Sequence, residues 1–128
     1  MFEKLSELHK KCFPNKPWSA DNFRDLKKSG CEIIMSENGF IVWKVVADKA
    51  EIITMGVTPE MRRNGIASAM LSIIEKDIKN QGVNKIFLEL STTNIPTQKL
   101  CENNGYKIAK KHQKCDSNDT NILMYKKL

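Results

Sequence analysis

Apolar residues recur along the chain at two different spacings, which predict helices and strands in turn. A spacing of three or four residues is typical of a helix with one buried face. It predicts helices over 2–12, 20–28, 64–80 and 94–104. Runs rich in apolar and β-branched residues, bounded by turn-forming residues, are typical of strands. They predict strands over 31–35, 39–46, 51–57, 85–90, 106–111 and 121–126.

The connections between these elements predict how the strands pair. Asn38-Gly39 is a strong hairpin turn between the first two strands, and the third strand follows after residues 47–50, so the first three strands are expected to form an antiparallel meander. The order strand, helix, strand from Ile52 to Leu90 predicts a parallel pair covered by the helix between them. The predicted fold is therefore an α/β domain with a mixed, mostly antiparallel sheet and helices on both faces.

Composition fits one cytoplasmic domain spanning residues 1–128. The chain has 128 residues, 41% of them hydrophobic, which is enough for one core. No window approaches the roughly 18 apolar residues of a membrane helix, and the first residues lack the apolar segment of a secretory signal. The four cysteines are irregularly spaced and accompanied by two histidines, so free thiols and no metal site are expected. His9 is expected on the surface of the first helix.

The segment 57–67, which joins a strand to the longest predicted helix, carries the candidate chemistry. A glycine-containing turn that opens a helix leaves backbone N–H groups without helical partners, and these groups attract anions. Arg62 and Arg63 add positive charge, Gly65 lets an anion approach the backbone, and Ala67 keeps the next turn narrow. A diphosphate is the expected ligand. The alternative is an ordinary strand-to-helix turn with solvated arginines.

The same segment resembles a known family. Residues 62–67, Arg-Arg-Asn-Gly-Ile-Ala, match the acetyl-CoA motif of the GNAT superfamily of N-acetyltransferases. Further similarities extend along nearly the whole chain and resemble the ribosomal-protein-alanine N-acetyltransferase (RimI) subgroup. They comprise Pro17-Trp18-Ser19 with Phe23, Phe87-Leu88-Glu89-Leu90 followed by Asn94, Leu100-x-Glu102-x-x-Gly105-Tyr106, and Ile122-Leu123-Met124.

The resemblance implies a binding site for acetyl-CoA and no metal. The end of the third strand would receive the acetyl carbonyl and the pantetheine arm through its backbone, in a cleft between this strand and the strand over 85–90. The next turn would wrap the pyrophosphate, and Asn94 would contact the arm from the far wall. The implied cofactor-binding residues are Met55, Gly56, Val57, Arg62, Arg63, Asn64, Gly65, Ile66, Ala67, Ser68 and Asn94.

Two residues are implied to be catalytic. Glu89 matches the general base of the family, which removes a proton from the acceptor amine directly or through a water. By alternation in an apolar strand, Glu89 could instead simply face solvent. Cys101 stands where the subgroup has a tyrosine that protonates the leaving thiolate. Three interpretations of Cys101 compete: a substitute acid, a small buried residue under the cofactor, or a site of self-acetylation or oxidation.

The resemblance also implies a partner, and it exposes a difference at the start of the chain. The expected acceptor is a peptide or protein N-terminus, with ribosomal proteins among the candidates; the alternatives are a small amine or a CoA-binding module without catalysis.

The first element of the chain differs from that of its relatives. Relatives begin with a strand, whereas this chain begins with a helix. The first strand is therefore expected to be missing, and the strand over 31–35 is expected to form an exposed edge. A monomer or weak dimer is expected.

Charge adds little evidence for nucleic-acid binding. The net charge of +6 is concentrated late in the chain, where residues 99–128 hold seven basic and three acidic residues. Few aromatic residues accompany these lysines, so direct nucleic-acid recognition is not expected. The lysines are instead expected to attract an anionic particle or an acidic peptide.

Overall fold

The computed structural model describes residues 1–62, 64–113 and 120–128. Arg63 and residues 114–119, including Cys115, lie outside this set. In order, the described elements are α1 (Phe2–Cys12), α2 (Ala20–Lys28), β1 (Glu32–Met35), β2 (Gly39–Val46), β3 (Lys49–Val57), a 3-10 turn (Pro59–Met61), α3 (Ile66–Asn80), β4 (Lys85–Ser91), α4 (Ile95–Asn103), β5 (Lys107–Gln113) and β6 (Thr120–Lys127).

The strands form one mixed sheet in the order β1-β2-β3-β4-β6-β5. The pair β3–β4 is parallel, and the other neighbouring pairs are antiparallel. The α/β fold with a mostly antiparallel sheet is therefore confirmed, including the parallel pair joined through α3. The chain enters the sheet only after two helices, and β1 lies at the edge, as expected.

Strand β2 is buried on both faces, which places a helical layer on each side of the sheet. Phe40 and Val42 point to the core under α1 and α2. Ile41 and Trp43 point to the core under α3, which also includes Cys101 of α4. Because successive side chains of a strand alternate between faces, a strand buried on both faces reads as a continuous apolar run. Helices on both faces are thus confirmed.

Two elements begin two residues away from their predicted starts. Strand β3 begins at Lys49, not at residue 51, since a two-residue turn joins it to β2 and Ala47 adopts a left-handed conformation with φ 57°. The residue type gives no hint of this turn, because alanine rarely adopts positive φ. Helix α3 begins at Ile66, two residues later than expected, because Gly65 at its N-cap has φ 77°.

His9 is buried, so the expectation of a surface position was wrong. Only 3% of the residue is exposed. Its ring stacks on Trp18 at a centroid distance of 4.8 Å and lies 4.7 Å from the ring of Phe13. Nδ1 of His9 accepts a hydrogen bond of 3.1 Å from the backbone N–H of Trp18. This aromatic cluster holds the last turn of α1 against the sheet.

The described residues provide three further facts about the expected class of protein. No described helix is long and apolar enough to span a membrane. Cys12, Cys31 and Cys101 are free thiols. Within 1–62, 64–113 and 120–128, the structure contains no cluster of three or more His, Cys, Asp or Glu residues that could hold a metal ion.

Candidate active site

The parallel strands β3 and β4 separate before either strand ends. Their pairing runs from Ala50↔Ile86 to Ile52↔Leu88 and goes no further, although β3 continues to Val57 and β4 to Ser91. The backbone edges that face each other beyond this point are not joined in a ladder. A strand edge outside a ladder offers N–H and C=O groups to a ligand. The gap between the two strands is therefore a natural place to bind an extended, polar chain.

A cleft of about 480 Å³ opens at this gap. It is bounded by the end of β3, the start of α3, one side of α4 and the end of α1. The lining residues are Cys12, Phe13, Met55, Gly56, Val57, Met61, Arg62, Gly65, Ile66, Ala67, Ser68, Asn94, Pro96, Thr97, Lys99, Leu100 and Asn103. The structure thus brings together most of the residues that the sequence predicted to bind the cofactor. Asn64 does not line the cleft, and Arg63 lies outside the described residues.

The N-terminus of α3 presents backbone donors to this cleft. The first helical hydrogen bond runs from the N–H of Ala69 to the carbonyl of Gly65 at 2.9 Å. The N–H groups of residues 66–68 therefore precede the helical ladder. Among the described residues no side chain caps them, and the first turn of α3 has no acidic residue. By contrast, Ser19 caps α2. Uncapped donors at the positive end of a 15-residue helix form an anion site.

The charges on the cleft wall also suit an anion. Arg62 and Lys99 line the cleft, and no Asp or Glu is among the described lining residues. Nε of Arg62 donates to the carbonyl oxygen of Val57 at 3.1 Å. Arg62 is therefore anchored at the end of β3.

Two polar residues of the wall also have structural contacts. Oδ1 of Asn94 accepts a hydrogen bond of 3.4 Å from the N–H of Thr97, so Asn94 caps α4 while lining the cleft. Nδ2 of Asn104 donates to Oγ of Ser68 at 3.1 Å and to the carbonyl of Leu100 at 2.8 Å. Because Ser68 accepts from Asn104, its own O–H can be donated to a ligand.

Glu89 lies just past the point where the strands separate. It follows Leu88, the last β4 residue paired with β3. Leu88 and Leu90 are buried in the core under α3, whereas Glu89 points to the opposite face of the sheet and is exposed. Oε1 of Glu89 accepts a hydrogen bond of 2.9 Å from Nδ2 of Asn121, a β6 residue that is only 7% exposed. Glu89 is not part of the cleft lining, and a buried amide fixes its carboxylate at the edge of the gap.

Cys101 is fully buried and does not line the cleft. Burial, together with the nearby Glu102 and Glu75 carboxylates, raises the pKa of its thiol to about 12. A thiol with this pKa keeps its proton at neutral pH. The geometry favours the interpretation of Cys101 as a small packing residue beneath the site.

Sequence reasoning missed several residues at the site, among them Cys12, Phe13, Lys99 and Asn121. Cys12 and Phe13 approach from the end of α1, and Lys99 lies on α4. Lys99 and the other cleft-lining residues of α4 could have been found from sequence, because they lie on one side of a helix already expected to face the cofactor. The others depend on contacts between elements far apart in the chain.

Comparison with known proteins agrees with this geometry at the level of the fold. The ribosomal-protein-S18-alanine N-acetyltransferase of Escherichia coli superposes with a TM-score of 0.84 at 20% identity, covering 98% of this chain and 86% of that one. An aminoglycoside 6'-N-acetyltransferase complexed with coenzyme A superposes with a TM-score of 0.83 at 19% identity, covering 98% and 89%.

The amino-acid sequence is also similar to that of an N-acetyltransferase. The ribosomal protein bS18-alanine N-acetyltransferase of Escherichia coli K12 is 26% identical over 95 residues. The match covers 70% of this chain and 64%, less than two thirds, of that relative. The family model described as acetyltransferase (GNAT) family matches residues 2–106. With this match over most of its length, the chain belongs to the acetyltransferase (GNAT) family.

Proposed function

We propose that this protein is an acetyl-CoA-dependent N-acetyltransferase whose acceptor is the α-amine of a protein N-terminus. One observation carries the proposal: the unpaired edge of β3 and the uncapped N-terminus of α3 open into the same cleft. CoA needs both features, because its pantetheine arm carries amides and its pyrophosphate is an anion. A domain of residues 1–128 with one continuous sheet is consistent with this assignment.

The residues present fit acetyl-CoA. The N–H groups at the start of α3, the Ser68 hydroxyl and the charge of Lys99 would hold the pyrophosphate, with Arg63 a further candidate from the sequence. The backbone of Met55, Gly56 and Val57 would pair with the pantetheine arm, and Asn94 would face it from α4. Bound there, acetyl-CoA supplies an acetyl group activated as a thioester.

Glu89 is the proposed general base for direct transfer to the amine. An ammonium group must lose a proton before it can act as a nucleophile, and a fixed carboxylate, alone or through a water, can accept that proton. Glu89 suits this role because it lies where β3 and β4 separate, on the face opposite α3. Asn121 orients the carboxylate. Cys101 contributes packing in this mechanism.

The choice of a protein N-terminus as acceptor is supported by the relative that shares 26% identity, whose name gives ribosomal protein bS18-alanine as its substrate. A small amine is the alternative acceptor. Incubation with acetyl-CoA and a panel of N-terminal peptides and small amines, followed through release of free thiol, separates the two. Turnover with an alanine-starting peptide above that with any small amine is expected. Turnover with small amines alone would overturn the acceptor, and tight CoA binding without any turnover would overturn the catalysis.

Substitution of Gly65 tests the anion site. Gly65 has φ 77°, and the space around its missing Cβ is open, so Gly65→Ala adds backbone strain without a clash. We expect the strain to shift the first N–H groups of α3 and weaken CoA binding about tenfold, which corresponds to roughly 1.4 kcal/mol. Isothermal titration calorimetry measures this change. Gly30→Ala is the matched control, because Gly30 has φ 99° in equally open space but does not line the cleft. Equal affinities in the two variants would contradict the anion site.

A further inference from the structure

Cys12 and Phe13 close the cleft on the face opposite α3. Both line the cleft at the end of α1, and both also pack against the core beneath α1 and α2. The remaining lining residues come from β3, α3, α4 and their flanking turns. The cleft therefore reaches both faces of the sheet, with Cys12 and Phe13 on the face opposite α3.

The thiol of Cys12 lies directly against the backbone of Gly56. A Cβ placed on Gly56 would lie 2.8 Å from Sγ and 3.1 Å from Cβ of Cys12. Such distances are too short for real side chains, so only glycine allows Cys12 to pack this closely. Gly56 is also part of the β3 edge proposed to receive the acetyl carbonyl. The thiol consequently occupies the space beside that position.

We propose that Cys12 limits the acyl group of the thioester substrate to acetyl, as a wall that leaves no space for a longer acyl chain. This inference rests on the proposed function and deepens it. A thioester carbonyl at Gly56 would direct its methyl group toward Cys12, and each added carbon would meet the sulfur atom. Close-packed walls discriminate against a single extra methylene by roughly 10- to 200-fold.

Cys12 acts here through its volume. Its side chain is half-buried, and burial raises the pKa of the thiol, although the adjacent Arg62 guanidinium opposes this effect. Glu60 acts in the same direction as burial. The sulfur atom packs against the backbone of Gly56, and the neighbouring Arg62 is anchored to the Val57 carbonyl. Close packing on the Gly56 side gives the wall a fixed position.

The test compares binding of CoA, acetyl-CoA, propionyl-CoA and butyryl-CoA by calorimetry, together with thiol release from each thioester. Affinity for CoA itself measures the cofactor arm alone, so each acyl-CoA affinity is expressed relative to it. In Cys12→Ala we expect the preference for acetyl-CoA over propionyl-CoA to fall about tenfold in both binding and turnover. In Cys12→Val the added volume should weaken acetyl-CoA binding while CoA binding stays unchanged. Cys31→Ala is the control, because Cys31 is buried in the same core but does not line the cleft.

Failure of this inference is distinguishable from failure of the proposed function. An unchanged acyl preference in Cys12→Ala, with thiol release from acetyl-CoA intact, would overturn the inference alone. A change only in the KM for the acceptor amine would also overturn it, because Cys12 would then line the acceptor path. A wild-type protein that binds neither CoA nor its thioesters would overturn both.

Discussion

Glu89→Gln is expected to lower kcat for acetyl transfer by roughly 10²- to 10⁴-fold, the usual range for loss of a general base. Gln has nearly the same shape, and its Oε1 can still accept the hydrogen bond from Asn121. The substitution therefore removes the proton acceptor and leaves the position of the side chain intact. Since Glu89 does not line the cleft, affinity for CoA should be unchanged. Steady-state kinetics and calorimetry measure the two quantities.

The pH profile and a second variant sharpen this prediction. If Glu89 takes the proton, the residual activity of Glu89→Gln should rise with pH as the free amine loses its own proton. Cys101→Ala is the comparison, because its thiol is fully buried and its pKa is raised to about 12. We expect that variant to keep the kcat and pH profile of the wild type. A Glu89→Gln enzyme within a few-fold of wild-type kcat would show that this carboxylate is not the base.

Acidification from pH 7.5 to pH 5 is expected to destabilise the protein by about 2 kcal/mol through His9 alone. Burial lowers the pKa of His9 from 6.5 to about 4. The unfolded chain therefore binds a proton at pH values where the folded protein does not. The cost is negligible above pH 6.5, grows as the pH falls below that value, and levels off near pH 4. Urea unfolding at the two pH values measures the change.

Comparison of variants isolates the contribution of His9. His9→Gln cannot ionise, so its free energy of unfolding should fall about 2 kcal/mol less between pH 7.5 and pH 5 than that of the wild type. Glu7→Gln is the control, because Glu7 lies on the exposed side of the same helix. That variant should retain the dependence of the wild type. The same pH dependence in His9→Gln as in the wild type would contradict the assignment.

Protonation of His9 would also affect the part of the cleft that α1 lines. The His9 ring contacts Trp18 and Phe13, and the same last turn of α1 carries Cys12 to the cleft. A charged imidazole would oppose the N–H of Trp18, which now donates to Nδ1. Loosening of this turn at low pH would therefore relax the wall that Cys12 is proposed to form.

The amino-acid sequence by itself determined the order of the elements and the glycine-containing start of α3, because both depend on short, continuous segments. Gly65 and the helix after it carry their own conformational preference, and the strand, helix, strand order requires β3 and β4 to be parallel. The unpaired β3 edge and the uncapped start of α3 follow each other in the chain. Their meeting in one cleft was therefore predictable.

The contacts on the face of the site opposite α3 were decided only by the tertiary structure. Asn121 reaches Glu89 from β6, and Cys12 reaches Gly56 from α1. Neither contact has a local pattern, since each depends on how elements far apart in the chain pack together. The same reason explains His9, which has a polar side chain at a helical position but is enclosed by aromatic rings. Periodicity indicates which face of a helix is apolar, whereas burial of a polar residue is decided by the partners that the fold brings to it.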